Sequence, residues 1–340
     1  MLTKKAVESL VPQIFSIRTD ADFNRLALTL FRLHFVHNPV YGSFCRYLYP
    51  SLKPESLQHY SQIPFLPIDF FKTQTVLLEG FDTEDFFMSS GTVSQGAVQS
   101  RHYIVDAVLY EKCFLKSFEL FWGKPEDFVF LALLPNYAEQ PHSSLICMME
   151  KLIKLSRKKH PESGFYLYDY PRLAEQMQSL EARGVRTMLF GVSFALLDLA
   201  ERFPMPLKHT VVLETGGMKG RRREMVKEEL HAILRTAFSL PAVYSEYGMC
   251  ELFSQAYMTD SGTRFKCPPW MKILIRRSND PLQAEKEGLA GGINVIDSGN
   301  IYSCPFIATQ DLGKVFPDGS FEVLGRFDNS DIRGCNLMIS

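Results

Sequence analysis

The fold is decided by the stretch RTMLFGVSFALLDLAERFPMPLKHTVVLETGG, Arg186–Gly217. Its apolar ends predict strands at Arg186–Phe190 and Thr210–Leu213, and the segment between them, Phe194–Glu201, predicts a helix. A buried strand, a helix and a second buried strand in this order form the repeating unit of a parallel sheet.

The same alternation continues on both sides of this stretch. The further predicted elements, helix and strand by turns, are Tyr103–Trp122, Phe128–Leu134, Ser143–Lys158, Phe165–Tyr168, Arg172–Arg183, Arg221–Phe238 and Ala242–Ser245. Because the predicted strands are mostly apolar, we expect helices to cover both faces of the sheet. The sequence therefore predicts an α/β fold.

The regions that flank the alternating segment differ from it. Residues 1–85 are expected to form a helical N-terminal part. After residue 260, short strand-like pieces are separated by Gly, Pro and Asp, and PDGS at Pro317–Ser320 predicts a hairpin turn between Val315–Phe316 and Phe321–Val323. We predict an α/β core over residues 1–260, a β-rich subdomain over 261–328 and a tail over 329–340.

Composition narrows the class of protein. The 340 residues include 37 Lys and Arg against 38 Asp and Glu, and 46% are hydrophobic, as in globular proteins. The charge balance argues against a nucleic-acid partner, and seven cysteines without a C-x-x-C pair argue against a disulfide framework or a zinc ribbon. The longest apolar run, Phe128–Leu134, is too short to span a bilayer, and no signal peptide is evident. A cytoplasmic protein without a transmembrane segment is expected.

Four segments carry residue types suited to binding a nucleotide. They are FMSSGTVSQGAVQSRH (Phe87–His102), LETGGMKG (Leu213–Gly220), YSEYGMCEL (Tyr244–Leu252) and ATQDLGKVFPDGSFEVLGRFD (Ala308–Asp328). The first is a Ser- and Gly-rich loop whose N–H groups and hydroxyls would wrap an anion. The second and third follow predicted strands, at the edge where ligands of open α/β sheets bind. Each segment taken alone is also explained by a structural turn.

The order of these segments resembles the core motifs of adenylate-forming enzymes, which activate carboxylic acids as acyl-adenylates with ATP. S-S-G-T, Y-G-M-C-E, Q-D-L-G and G-R-F-D stand where that superfamily has T-S-G-T-T-G, Y-G-x-T-E, T-G-D-L and G-R-x-D. Within the superfamily the chain is most similar to the acyl-protein synthetases, the LuxE type of the bacterial bioluminescence fatty-acid reductase complex. The likeness spans roughly residues 85–340 and includes Ser100–His102, Leu133–Leu145 and Cys335 near the end of the chain.

The resemblance implies a site for ATP and Mg²⁺. The residues that it would place around ATP or AMP are Ser89, Ser90, Gly91, Thr92, Gly216, Gly217, Met218, Tyr247, Gly248, Met249, Cys250, Asp311 and Arg326. Tyr247 would stack on adenine, Glu251 would help to hold Mg²⁺, and Asp311 would accept hydrogen bonds from the ribose. Contacts to the acid substrate are expected at Tyr137, His142, Arg101 and His102. Both histidines are equally well explained as residues that only form hydrogen bonds in loops.

The implied fold is the large N-terminal domain of the adenylate-forming enzymes, with layered sheets flanked by helices, a β-rich C-terminal subdomain and essentially no C-terminal lid domain. The sequence departs from the motifs where Cys250 replaces Thr, where Gln310 replaces Gly, and where the phosphate loop lacks a lysine. The implied activity is ATP-dependent activation of a fatty or other apolar carboxylic acid, followed by transfer of the acyl group to the Cys335 thiol.

Several interpretations remain open. Cys335 would deliver the acyl group to an acceptor protein, such as a reductase or transferase subunit, or it is a tail residue without a role. One alternative is a ligase that passes the acyl group to coenzyme A. Another is a catalytically degenerate fold that binds a nucleotide or a partner, which the three departures from the motifs favour.

Overall fold

The computed structural model describes residues 4–89, 98–135, 140–167, 169–216, 225–260 and 262–327. The chain forms two compact units. One is continuous in sequence, Asp85–Pro268, and is called the central unit here. The other combines residues 4–84 with residues 269–327, and is called the terminal unit.

The elements of the described residues are as follows. The helices are α1 (Lys4–Glu8), α2 (Val11–Ile14), α3 (Asp20–His37), α4 (Pro39–Leu48), α5 (Phe70–Thr73), α6 (Ala107–Trp122), α7 (Ser144–Ser156), α8 (Tyr170–Ala182), α9 (Ser193–Arg202) and α10 (Lys227–Phe238). The strands are β1 (Leu66–Pro67), β2 (Phe86–Met88), β3 (Arg101–Tyr103), β4 (Val129–Leu133), β5 (Gly164–Phe165), β6 (Thr187–Val192), β7 (Thr210–Thr215), β8 (Tyr244–Tyr247), β9 (Ala256–Met258), β10 (Phe265–Lys266), β11 (Met271–Arg276), β12 (Gly291–Asp297), β13 (Phe306–Val315) and β14 (Phe321–Arg326).

The central unit is built on a mainly parallel sheet. Strands β5, β4, β6, β7 and β8 lie side by side in that order and run parallel, and β9 and β10 extend the sheet antiparallel. Every residue of β4 and β6 is buried, as expected of strands that helices cover on both faces. The predicted alternation of strand and helix is therefore confirmed in this unit.

Side-chain caps fix where the helices of the central unit begin. Asp106 Oδ1 accepts a hydrogen bond from Leu109 N at 2.9 Å and starts α6 at Ala107. The predicted start of this helix at Tyr103 is wrong, because Tyr103 belongs to β3 and pairs with Phe86 of β2. Ser143 and Asp169 cap α7 and α8 in the same way.

The terminal unit is an antiparallel sheet with the N-terminal helices packed beside it. Strands β11, β12, β13 and β14 follow one another, and the predicted hairpin is present with Val315 opposite Phe321. β1 joins this sheet parallel to β13. In α3, His34 Nε2 lies 3.0 Å from the Ile301 carbonyl oxygen.

The structure thus groups the N-terminal part differently from the predicted division, which placed residues 1–85 with the α/β core. Residues 4–84 pack in the terminal unit, where β1 joins the sheet and where His34 of α3 and Asn38 are bonded to the Ile301–Ser303 segment. Pattern reading assigns a segment to its neighbours in sequence, whereas this N-terminal part finds its partners more than 200 residues later.

The cysteines of the described residues are free thiols: Cys45, Cys113, Cys147, Cys250, Cys267 and Cys304. Burial raises the pKa of Cys45 to about 12 and that of Cys147 to about 11, and it holds the pKa values of Cys250 and Cys304 well above the usual range. Among the described helices, none has both the length and the apolar character needed to cross a bilayer.

Replacement of Leu189 by Ala tests the central sheet. Leu189 is fully buried in β6, between the paired residues Leu131 and Val212. Leu189→Ala removes buried methyl groups, and we expect it to lower the free energy of unfolding by about 2–5 kcal/mol. Urea unfolding followed by tryptophan fluorescence measures this change. Leu120→Ala, on the exposed side of α6, is the matched control and is expected to change it by less than about 0.5 kcal/mol. Equal effects of the two substitutions would contradict the proposed core.

Candidate functional site

Polar side chains converge at the carboxyl ends of β6, β7 and β8. Ser193 follows β6 and starts α9, Glu214 and Thr215 end β7, and Ser245 and Glu246 lie in β8. The strands run parallel and β7 pairs with both neighbours, so these ends share one edge of the sheet. That edge is where open α/β sheets bind their ligands.

The Glu214 carboxylate is the centre of a buried hydrogen-bond network. Its side chain is 3% exposed, yet each oxygen has a hydroxyl donor. Ser193 Oγ lies 2.5 Å from Oε1, and Ser245 Oγ donates to Oε2 at 2.8 Å. Ser193 Oγ also lies 3.1 Å from the carbonyl oxygen of Gly216, so its one hydrogen is shared between this oxygen and the nearer Glu214 Oε1. The network therefore joins the ends of three strands and holds the first residue of the glycine-containing turn.

Helix α10 supplies two further members of this network. Lys227 Nζ lies 3.6 Å from Glu214 Oε2, and His231 Nε2 lies 3.2 Å from Ser245 Oγ. Burial lowers the pKa of His231 to about 4, so the ring is neutral near pH 7. Ser245 has one hydroxyl hydrogen, which it gives to Glu214, so His231 Nε2–H is the donor towards Ser245.

Glu246 is a second buried carboxyl at the same edge. Thr215 Oγ1 donates a hydrogen bond to Glu246 Oε2. Burial, and secondarily the Glu214 charge, raise the pKa of Glu246 to about 7, against the opposing effects of Thr215 and Lys227. At neutral pH this carboxyl is therefore divided between its protonated and charged forms.

The last residue of β8 and the segment after it carry the predicted adenine residue Tyr247 and the predicted magnesium residue Glu251. Tyr247 is buried with its ring 6.0 Å from that of Phe265, edge to face. Gly248 follows it, and a Cβ at Gly248 would lie 2.3 Å from Glu246 Oε1. A side chain at this position would therefore have to displace the Glu246 carboxyl, and Gly248 itself is exposed.

Cys250 and Glu251 lie in this segment, and the buried His102 side chain of β3 contacts its backbone. His102 Nδ1 lies 2.8 Å from the carbonyl oxygen of Cys250, and its ring packs against Phe253 with the centroids 5.0 Å apart. Burial lowers the pKa of His102 to about 4. The pKa of the Cys250 thiol is raised, chiefly by burial and then by the adjacent Glu251 carboxylate. His102 thus holds the backbone of the motif in place, while the carboxylate of Glu251 is 4% exposed.

The Ser- and Gly-rich loop is anchored where the β2–β3 hairpin closes. Ser89 N donates to Ser100 O at 3.2 Å, and Ser100 N donates to Ser89 Oγ at 3.1 Å. Beside this closure, the His142 ring stacks on Phe86 at 4.4 Å and the Arg101 guanidinium lies 5.3 Å from the same ring. The structure thus brings the predicted substrate residues Arg101 and His142 to one aromatic side chain, both of them exposed.

The terminal unit brings the other two predicted nucleotide residues together. Asp311 of β13 is opposite Arg326 of β14, and Arg326 Nε donates to Asp311 Oδ1 at 3.1 Å. The carboxylate is 9% exposed and the arginine side chain is 80% exposed. A buried carboxylate beside an exposed guanidinium can accept hydrogen bonds from a sugar while the cation faces an anion.

Some predicted site residues lie outside the described residues: Ser90, Gly91, Thr92, Tyr137, Gly217, Met218 and Cys335. Of those that are described, Gly216 has a φ of 73°, a conformation that favours glycine, and a Cβ at Gly248 would meet the Glu246 carboxyl. Within the described ranges, no group of three or more His, Cys, Asp or Glu could hold a metal ion by itself. The donor set fits Mg²⁺ shared between the Glu251 carboxylate and nucleotide phosphates.

Sequence reasoning missed the network around Glu214. Ser245 and His231 lie within predicted elements, whereas Ser193 and Glu214 each lie one residue outside the predicted bounds. The partners are 14 to 31 residues apart in sequence. One signal was present in the sequence, because VVLETG places a lone acidic residue at the end of an otherwise apolar strand. A buried charge of this kind requires partners from neighbouring elements.

The raised pKa of Glu246 predicts a dependence of stability on pH. The folded-state pKa is about 7 and the ordinary value is 4.5, so the folded state holds an extra proton between these values. Stability is therefore lost as the pH rises from 4.5 through 7. Relative to Glu246→Gln, we expect the wild-type free energy of unfolding to fall by roughly 2 to 3 kcal/mol between pH 5 and pH 8. Urea unfolding at both pH values measures this difference, and the contributions of the buried histidines cancel. Parallel pH profiles for the two proteins would show that Glu246 titrates normally.

Comparison with known proteins supports the fold. No protein-family model and no curated protein sequence matches the chain. The ATP-bound crystal structure of MatB from Rhodopseudomonas palustris is similar with a TM-score of 0.54 and 17% sequence identity, over 71% of this chain and 47% of that chain. Apo MatB from the same organism gives 0.52 and 16% over 72% and 48%, and an ATP-bound RpMatB-BxBclM chimera gives 0.54 and 16% over 71% and 47%. The chain thus spans about half the length of these proteins. The likeness confirms the predicted α/β fold class.

Proposed function

We propose that this chain is an adenylate-forming enzyme, which uses ATP to activate a carboxylic acid as an acyl-adenylate. The observation that carries the proposal is the placement of Gly216, Tyr247 and Glu251 at the carboxyl ends of the adjacent strands β7 and β8. The order of the four sequence motifs supports it. The fold shared with MatB, of which one structure holds ATP, supports it further.

The proposed reaction has two steps. A carboxylate oxygen of the acid attacks the α-phosphorus of ATP, the bond from this phosphorus to the bridging oxygen breaks, and pyrophosphate leaves. A thiolate then attacks the acyl carbon, and AMP leaves with the oxygen that had joined it to the acid. The first step concentrates negative charge on the phosphoryl oxygens, so fixed N–H donors and cations accelerate it.

The chain's own residues would divide this work as follows. The N–H groups near Gly216 and Gly248 would approach the nucleotide closely, and Tyr247 would offer its ring to adenine. Glu251 would help to hold Mg²⁺, which neutralises phosphate charge when bound. The Glu214 network would keep the turn at Gly216 in place through Ser193. Asp311 and Arg326 of the terminal unit keep their proposed role at the ribose, which rests on the motifs and on their mutual hydrogen bond.

The finer assignments follow from the resemblance to acyl-protein synthetases. We propose that the acid is a fatty or other apolar acid, and that Cys335 is the thiol that receives the acyl group and passes it to an acceptor protein. Coenzyme A as the acceptor is the second candidate. A binding module without turnover is the third, and it is favoured by one observation, the buried thiol of Cys250 at the position where the motif has a hydroxyl.

Exchange between ATP and pyrophosphate tests the activation step. The protein is incubated with Mg²⁺, ATP, labelled pyrophosphate and a panel of carboxylic acids, and we expect label to enter ATP only when an accepted acid is present. Glu251→Gln removes the carboxylate proposed for Mg²⁺ and should reduce the exchange rate by about 100-fold or more, as loss of a transition-state charge partner does. Glu229→Gln, on the exposed side of α10, is the matched control and should leave the rate unchanged. Binding of ATP without exchange for any acid would favour the binding module.

Mass spectrometry of the intact protein tests the transfer step. After incubation with Mg²⁺, ATP and an accepted acid, we expect a mass increase equal to the acyl group, which hydroxylamine removes because the group is a thioester. The increase should be absent in Cys335→Ser and present in Cys267→Ser, the matched control. Persistence of the increase in Cys335→Ser would move the nucleophile to another residue. Exchange without any mass increase, together with release of an acyl-coenzyme A when coenzyme A is added, would favour the second candidate.

A further inference from the structure

The pairing of β12 and β13 is interrupted at Asp311, so backbone groups there need hydrogen-bond partners other than those of the ladder. On either side of this segment, β12 and β13 pair regularly at Gly292↔Leu312 and at Asn294↔Ala308. Between these pairs β12 has one residue, Ile293, whereas β13 has Thr309, Gln310 and Asp311. Two extra residues in one strand interrupt the ladder of hydrogen bonds and turn the local side chains in a new direction. Asp311 lies in this bulge.

Arg276 of β11 supplies hydrogen bonds that the interrupted ladder lacks. Its Nη1 donates to the Ile293 carbonyl oxygen at 2.7 Å and to Asn294 Oδ1 at 2.8 Å. Its Nη2 donates to the carbonyl oxygen of Thr309 at 2.5 Å. One guanidinium group therefore binds the two strands on both sides of the bulge.

The Arg276 side chain can reach from β11 across β12 to β13 because the residue it crosses on β12 is a glycine. Arg276 is directly opposite Gly292 in the β11–β12 pair, so its side chain passes over Gly292. A Cβ at Gly292 would lie 2.5 Å from Arg276 Cζ and 2.7 Å from Nε. Any other residue at position 292 would therefore displace the guanidinium group.

Thr309 connects these hydrogen bonds to the backbone of Asp311. Its Oγ1 donates to the Ile293 carbonyl oxygen at 2.9 Å and accepts a hydrogen bond from Asp311 N at 3.1 Å. Just after the end of β14, the ring of Phe327 lies 5.6 Å from the Arg276 guanidinium. Arg276 thus contacts the chain two residues before Asp311 and one residue after Arg326.

We propose that Arg276 is a positioning residue, which sets the direction of the Asp311 carboxylate and thereby the recognition of ribose hydroxyls. The inference rests on the proposed function, because it takes the ribose of ATP as the group that Asp311 binds. A lysine would not replace this arginine, since an ammonium group is a single point and cannot span acceptors on two strands as the planar fork does.

The test is the ratio of two affinities, measured by calorimetry on the same protein sample. We expect the wild type to bind ATP about 10-fold more tightly than 2′,3′-dideoxy-ATP, as the loss of hydrogen bonds to a carboxylate predicts. In Arg276→Lys and in Gly292→Ala the ratio should fall to about 2-fold. A partly unfolded sample lowers the number of binding sites but leaves the ratio unchanged, so the ratio separates positioning from folding. Gly292→Ala retains the arginine and provides the second variant.

Arg277→Ala is the matched control. Arg277 is the next residue of the chain, and its Nε lies 4.0 Å from Glu285. It should keep the wild-type ratio. If both variants at positions 276 and 292 bind ATP with the wild-type ratio, the positioning role is overturned and the proposed function stands. If the wild type binds ATP without preferring it over the dideoxy nucleotide, the ribose role of Asp311 fails and the inference fails with it. If the wild type does not bind ATP, the proposed function itself fails.

Discussion

A buried carboxylate needs hydrogen-bond donors to replace the water it has lost, and Glu214 is such a carboxylate in the central unit. Its two oxygens are satisfied by Ser193 and Ser245, and Lys227 provides the nearest positive charge. These partners belong to α9, β8 and α10, so the position of one charged group determines how a strand and two helices meet at the end of β7. Removing a single partner would leave a buried charge short of a donor, which costs more than the bond itself contributes.

In each unit the backbone departs from a strand, and a charged side chain lies at the point of departure. The charged group is an anion in the central unit and a cation in the terminal unit. In the central unit the chain leaves β7 through Gly216, at a φ of 73°, and an anion with its hydroxyl partners holds this departure. In the terminal unit the backbone departs from the ladder at Thr309–Asp311, and the cation of Arg276 holds it. Where the backbone departs from a ladder, carbonyl and amide groups lose their regular hydrogen-bond partners. The Ser193 hydroxyl bonded to Glu214 in one unit, and the half-buried Arg276 guanidinium in the other, lie within hydrogen-bond distance of such carbonyl oxygens.

The sequence predicted the order of elements well because the central strands are buried on both faces. Continuous apolar runs such as Phe128–Leu134 and short polar breaks leave few alternatives. The site was predictable only as separate motifs. Regular pairing from Val315 and Phe321 would place Asp311 opposite Gly325, but the extra residue Leu324 shifts the register and brings Arg326 opposite Asp311. No local pattern encodes that shift, because it depends on how β14 bends. The pairing of the N-terminal part is likewise not encoded in a local pattern, since its partner strand β13 is distant in sequence.

The raised pKa values of the buried thiols bear on which nucleophile an acyl-adenylate would react with. An acyl-adenylate is an electrophile that reacts with thiolates, so an enzyme that makes one risks modifying itself. Cys45, Cys147, Cys250 and Cys304 all have raised pKa values and remain protonated at neutral pH. Cys250, which lies in the proposed nucleotide motif, is shielded both by burial and by the charge of Glu251. Under the proposed function, burial would keep these four thiols from reacting with the acyl-adenylate.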